Sequence, residues 1–173
     1  MTETRDRIAA YVRENPGVHF NDLVRDLDLA PGQVQYHLRR LRRGDDVDSE
    51  HLYGRTHYYP PAFDEWERRA LALVRRETSR DVLGYLLERD EADPESVAEA
   101  VGIARSTLEW HLDHLVAESI VEKRYDERGR VTLTLARPEA TARLLAAVSP
   151  SLPERFVDRF ERLLDDLLAG VDR

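Results

Sequence analysis

The stretch PGQVQYHLRRLRRG, residues 31–44, has an echo in RSTLEWHLDHLVAE, residues 105–118. An aromatic-His-Leu core recurs, but Arg39, Arg40, Arg42 and Arg43 of the first stretch have no counterpart in the second, which carries Glu109, Asp113 and Glu118 instead. At the offset of 74 residues that aligns His37 with His111, Ile8 meets Val82, Tyr11 meets Tyr85, Leu27 meets Val101, Val34 meets Leu108, Tyr36 meets Trp110, Leu38 meets Leu112, Leu41 meets Leu115 and Val47 meets Val121. Apolar positions coincide while the residues between them diverge. Two copies of one small fold account for this.

Within the first copy, Ile8, Tyr11 and Val12 are spaced for a helix that stops at Asn15-Pro16-Gly17. Asn21 is the expected cap of a second helix with Leu23, Val24 and Leu27 on one face. Pro31 suits the first turn of a third helix, whose apolar stripe is Val34, Leu38 and Leu41 and whose end is Gly44. Two β-rich runs around Tyr53-Gly54-Arg55 then read as a hairpin closed by Pro60-Pro61. The second copy repeats the plan: a helix near residues 81–88, one opened by Asp93-Pro94, a third over residues 105–118, and strands flanking a turn at Asp126-Glu127-Arg128-Gly129. Phe63, Trp66, Ala70 and Leu73 predict a connecting helix between the copies.

The expected fold is therefore mainly α with small β-hairpin wings. It consists of two tandem winged helix-turn-helix domains, at residues 1–61 and 79–137, a connecting helix at 62–78, and C-terminal helices at 138–173. In that architecture the third helix enters the DNA major groove and the wing touches backbone or minor groove. Turning Val34, Leu38 and Leu41 inward leaves Gln33, Gln35, Tyr36, Arg39 and Arg40 on or near the outer face. Gln matches adenine edges and Arg matches guanine edges or phosphates; Arg42 and Arg43 suit phosphates, and Arg55 at the wing tip suits backbone or minor groove. The arginine run also has a plain reading as a solvated helix end, but no acid interrupts it in an acidic chain.

The stretches NPGVHFNDLVRDLDLAPGQVQYHLRRL, YGRTHYYPP and GIARSTLEWHLDHLVAESIVEKR resemble archaeal, haloarchaeal-type tandem winged helix-turn-helix transcriptional regulators related to the MarR and ArsR-like groups. The resemblance covers about residues 6–61 and 80–135. It implies that the third helix of the first copy, with Gln33, Gln35, Tyr36, Arg39 and Arg40, reads double-stranded DNA. The second copy departs from the basic pattern, so scaffold, dimer or partner contacts are its expected role. The alternative is a protein-interaction adaptor, since tandem winged helices also serve in chromosome-segregation and transcription-initiation complexes.

Composition narrows the field further. The 173 residues contain no cysteine, which excludes disulfides, thiol nucleophiles and zinc-thiolate sites. A formal net charge of −8 argues against binding nucleic acid with the whole surface and leaves room for a local basic patch. Lys123 is the only lysine among 26 basic residues, against 34 acids. That balance fits a salt-loving archaeon, or a high-GC genome that favours arginine codons. No apolar run approaches the roughly 20 residues that span a bilayer, and a cytoplasmic protein without membrane association is expected.

No phosphate loop or nucleophile elbow is present, so no enzyme and no cofactor are expected. His111, Asp113 and His114 offer close donors without a fourth ligand, and no metal site is assigned to them. Near the end, Phe156, Phe160, Leu163, Leu164 and Leu167 form a stripe that either closes over the second domain or meets a second copy of the chain. A homodimer is the reading adopted, placing two third helices on half-sites of a palindrome. The operator, the target genes, the sign of regulation and any small-molecule effector are not encoded in recognisable form.

Overall fold

The computed structural model describes residues 2–148, and the chain divides into two compact units between Arg75 and Arg76. The stripe from Phe156 to Leu167 lies outside the described residues.

The first unit runs α1 (Thr2–Glu14), β1 (Val18–His19), α2 (Phe20–Leu27), α3 (Pro31–Arg43), β2 (Asp48–Leu52), β3 (Arg55–Tyr59) and α4 (Glu65–Val74). Ile8 and Val12 of α1, Leu23 of α2, and Val34, Leu38 and Leu41 of α3 are all buried to within 3% exposure, so three short amphipathic helices close one core. Each such side chain contributes about 1.5–3 kcal/mol on burial, enough to hold helices too short to persist alone. Tyr11 Oη donates to Asp26 at 2.5 Å and ties α1 to α2. Pro31 occupies the first turn of α3 and Gly44 its C-cap, as expected.

The expectation for α2 fails in detail. Its N-cap is His19 with no side-chain hydrogen bond, and Asn21 lies inside the helix, exposed. The two-residue strand β1 explains the shift. It pairs antiparallel with β3, Val18 opposite Tyr58, and so carries the chain straight from sheet into helix one residue before Asn21 could cap it.

The sheet order is β1-β3-β2, with Asp48 opposite Tyr59 and Leu52 opposite Arg55. The hairpin turn is Tyr53-Gly54; both have positive φ, 51° and 80°, as a type I′ turn requires. Gly17, at φ +80°, sits where the chain leaves α1 for β1, and a Cβ there would lie 3.2 Å from Leu71 Cβ and 3.3 Å from Tyr59 Cε1. Its carbonyl accepts from His57 Nδ1 at 2.7 Å and its N–H donates to the Tyr58 carbonyl at 2.8 Å.

His57 is 4% exposed, and burial holds its imidazole below the usual histidine range. With the folded value depressed, the unfolded chain binds more protons near pH 6, so stability is complete above the unfolded value of about 6.5 and falls as pH drops below it. A lower Tm at pH 5 than at pH 7.5 is expected, and His57→Gln should flatten that difference. Calorimetry across this range checks it.

The second unit runs α5 (Glu77–Arg89), β4 (Glu91–Ala92), α6 (Pro94–Val101), α7 (Arg105–Ala117), β5 (Val121–Tyr125), β6 (Val131–Leu135) and α8 (Pro138–Val148). Its sheet order is β4-β6-β5, so helix, short strand, helix, helix and hairpin recur in the order of the first unit. Asp93 caps α6 by accepting from Ser96 N–H at 2.9 Å, with Pro94 in the first turn. The core is Val82, Leu83, Leu86, Val97, Leu108, Leu112, Leu115, Ile120 and Leu133. The described part of the C-terminal segment, α8, adds Ala142, Leu144 and Leu145 to the buried residues.

Candidate nucleic-acid interface

α3 buries Val34, His37, Leu38 and Leu41 and exposes every polar residue between them: Gln33, Gln35, Tyr36, Arg39, Arg40, Arg42 and Arg43. At helical spacing, Tyr36, Arg39 and Arg43 share the outermost stripe, Gln33 and Arg40 flank it on the His37 side, and Gln35 and Arg42 flank it on the other. Two of these side chains are already engaged. Gln33 Oε1 accepts from the Ala30 N–H at 3.3 Å, holding the helix start. Arg40 Nη1 donates to Tyr36 Oη at 2.9 Å, and its guanidinium lies 5.8 Å from the Tyr36 ring centroid.

No described residue gives Arg39, Arg42 or Arg43 a carboxylate within salt-bridge distance. Elsewhere arginines are commonly paired: Arg25 with Asp22 and Asp26, Arg68 with Glu50, Arg69 with Glu65, and Arg130 with Asp126. Pairing an exposed arginine adds little stability, so the unpaired set costs the fold little and leaves a positive surface.

Arg55 is exposed at the start of β3, next to the Tyr53-Gly54 turn. Beneath it, an open concavity of about 290 Å³ is lined by His19, Phe20, Asn21, His51, Gly54, Arg55 and Thr56. Tyr58 and Tyr59 are buried, 9% and 0% exposed, and pack into the first unit rather than facing outward. Tyr59 Oη donates to the Arg68 carbonyl of α4 at 2.7 Å and fastens the wing base to that helix.

The corresponding helix of the second unit differs in sign and in bonding. Glu109 accepts from Lys123 Nζ at 2.8 Å and from Arg105 Nη2 at 2.9 Å, and these hydrogen bonds, Lys123 first, hold its carboxyl below the usual range. At the offset of 74, Arg39, Arg42 and Arg43 correspond to Asp113, Val116 and Ala117, all exposed. His111 Nδ1 lies 3.0 Å from Ser79 Oγ, and His114 Nδ1 2.8 Å from the Trp110 carbonyl. These contacts give both histidines structural partners, and among the described residues no group of three or more His, Asp or Glu could hold a metal ion.

The helix order, the α3 surface and the wing together meet one precedent. Residues 2–71 match the family HTH_HVO_0163_N, an N-terminal HTH domain. The match takes in everything from α1 through β3 and most of α4. The matched HTH domain thus contains Arg39, Arg42 and Arg43.

Over 131 residues, 76% of its length, the chain is also 28% identical to an uncharacterized HTH-type transcriptional regulator of Methanocaldococcus jannaschii. The chain spans about a third, 33%, of that relative's length. Among solved structures, ScpB from Mycobacterium tuberculosis aligns over 78% of this chain and 90% of its own at 17% identity, with a TM-score of 0.29. No helix among the described residues is long and apolar enough to cross a membrane.

Two groups beside the HTH domain's outer face were not read from the sequence. Thr2 and Arg5 of α1 line a concavity with Tyr36, His37 and Arg40 of α3, and His19 and His51 line the one below the wing. Residues some 30 positions apart give no periodic signal of their proximity. Arg5 lies three residues before buried Ile8, which was the one available hint of its side of α1.

Proposed function

We infer that the chain is a sequence-specific, double-stranded DNA-binding transcriptional regulator whose HTH domain docks α3 in the major groove and Arg55 on the backbone or minor groove. The observation that carries this reading is the absence, among the described residues, of any carboxylate paired with Arg39, Arg42 or Arg43 in a chain of net charge −8. Such a surface attracts phosphates locally while the acidic remainder repels indiscriminate binding. The second unit, a repeat of the same fold by element order and apolar register, serves as scaffold or partner surface, because its third helix carries acids where the first carries cations. The stripe from Phe156 to Leu167 is the proposed dimerisation element, and a two-fold dimer would present two copies of α3 to a palindromic site.

In a salt-rich cell the counterion-release part of affinity shrinks, and recognition leans on base-edge contacts and shape. Gln35 is the base reader favoured by its exposed, unengaged amide. Selection of fragments from sheared genomic DNA of the native organism by the full chain is expected to return a set sharing one motif. Gln35→Ala should reduce discrimination at one position of that motif by about 1–3 kcal/mol with random-duplex affinity unchanged. A retained set without a common motif overturns the sequence-specific reading.

A further inference from the structure

The HTH domain carries a second positive feature, set to one side of the outer stripe of α3. The concavity formed by Thr2, Arg5, Tyr36, His37 and Arg40 is open and about 170 Å³ in volume, and among the described residues no carboxylate lines it. Arg40 is pre-positioned there: its Nη1 is held by Tyr36 Oη at 2.9 Å, which leaves the remaining guanidinium donors for another acceptor. Arg5 is only loosely engaged, its Nε 3.9 Å from the Asp6 carboxylate, which is itself 67% exposed. His37, 5% exposed, forms the inner wall; burial first, and then nearby positive charge that includes Arg40 and Arg5, keep its imidazole from protonating in the usual range.

Two guanidiniums from different helices, a phenol and a hydroxyl around a space of this size match a tetrahedral oxyanion. We propose that this concavity seats one backbone phosphate of the bound duplex, with Arg5 and Arg40 as its ligands and Tyr36 as the residue that positions Arg40. The proposal rests on the DNA-binding reading and refines it. Arg40 grips the backbone and fixes register, while Arg39 on the outermost stripe remains on the base edges.

The second unit supplies an internal comparison. At the offset of 74 the five positions become Arg76, Ser79, Trp110, His111 and His114. Ser79 is 1% exposed with its Oγ 3.0 Å from His111 Nδ1, and the Arg76 guanidinium lies 5.5 Å from the Trp110 ring centroid. The Arg5–Arg40 pair is replaced by Ser79 and His114, and the cation that remains packs on an aromatic face. The same backbone framework thus carries the oxyanion seat only in the unit whose third helix is basic.

The test uses the full chain and a short random-sequence duplex, with binding followed by anisotropy over a salt series. Arg5→Gln is expected to flatten the slope of log K against log salt by about 0.9 and to weaken binding about eightfold near 0.1 M salt, the difference vanishing toward about 1 M. Arg5→Lys, which restores the charge, should restore the slope, and a Tm measurement confirms that both variants fold. Tyr36→Phe should weaken binding less than Arg5→Gln and leave the slope within reach of wild type.

On a duplex carrying the selected motif, which fixes the register, a neutral methylphosphonate at successive linkages should weaken wild type wherever a phosphate is held, and Arg5→Gln should be markedly less sensitive than wild type at one of those linkages. If Arg5→Gln keeps the wild-type slope while loss of Arg39 still weakens the duplex, the seat is wrong and the DNA-binding reading stands. If neither change matters, the DNA-binding reading fails first. Inorganic phosphate that binds the DNA-free chain saturably, and no longer binds Arg5→Gln, assigns the seat to a free phosphate and overturns the proposal whenever the duplex slope is unchanged.

Discussion

Copying the second unit's residues onto the first, as Arg39→Asp, Arg42→Val and Arg43→Ala in one variant, is expected to lower duplex affinity by about 10²–10³-fold near 0.1 M salt. Each lost phosphate-directed cation removes a factor of about eight at that salt, and the new carboxylate adds repulsion at the centre of the outer stripe. All three side chains are exposed, so the variant should fold and keep its Tm within a few degrees. The reverse exchange, Asp113→Arg with Val116→Arg and Ala117→Arg, should add salt-dependent, sequence-independent affinity. Anisotropy at several salt concentrations measures both, and undiminished binding by the first variant would remove α3 from the interface.

The second large effect concerns stability. Tyr59 has no exposed surface, its ring neighbours Gly17, and its hydroxyl bonds the Arg68 carbonyl at 2.7 Å. Burial raises its phenol well above the usual tyrosine range, so the hydroxyl is a protonated donor at neutral pH. Tyr59→Ala creates a cavity where β3, the turn after α1, and α4 meet, and it leaves a backbone carbonyl unpaired. A loss of about 3–5 kcal/mol is expected, comparable to the whole stability of a unit this size. Urea titration should show the first unit melting at markedly lower denaturant while the second keeps its own transition; Tyr59→Phe should cost about 1 kcal/mol. Coincident, unshifted transitions would contradict this account of the wing's anchorage.

Much of this organisation was legible in advance because the physical signal was local. Pro31 and Gly44 bracket α3, the run Val34, Leu38 and Leu41 has helical period, and the Tyr53-Gly54 turn reflects a short-range demand for positive φ. Local chemistry also misled: Asn21 is a good capping residue, yet pairing of Val18 with Tyr58, forty residues away, set the helix start elsewhere. Gln33 and Tyr36, expected on or near the outer face, are both exposed, but each has a local partner that directs its polar group, Gln33 at the Ala30 N-cap and Tyr36 at Arg40. The two-residue strands β1 and β4 are too short to leave a periodic pattern and exist only through their pairing with β3 and β6.

The alternation of apolar and polar residues along each segment, repeated at an offset of 74, was enough to specify two helical units with hairpins and to mark the first third helix as the basic one. Hydrophobic periodicity and charge are properties of neighbours along the chain, and folding does not alter them. That Arg5 joins Arg40 around a single concavity was settled by the packing of α1 against α3, and which arginines lack a carboxylate by how the folded elements place the acids around them. Those relations join residues far apart in the chain, and their distances have no counterpart in linear spacing until the core draws the helices together.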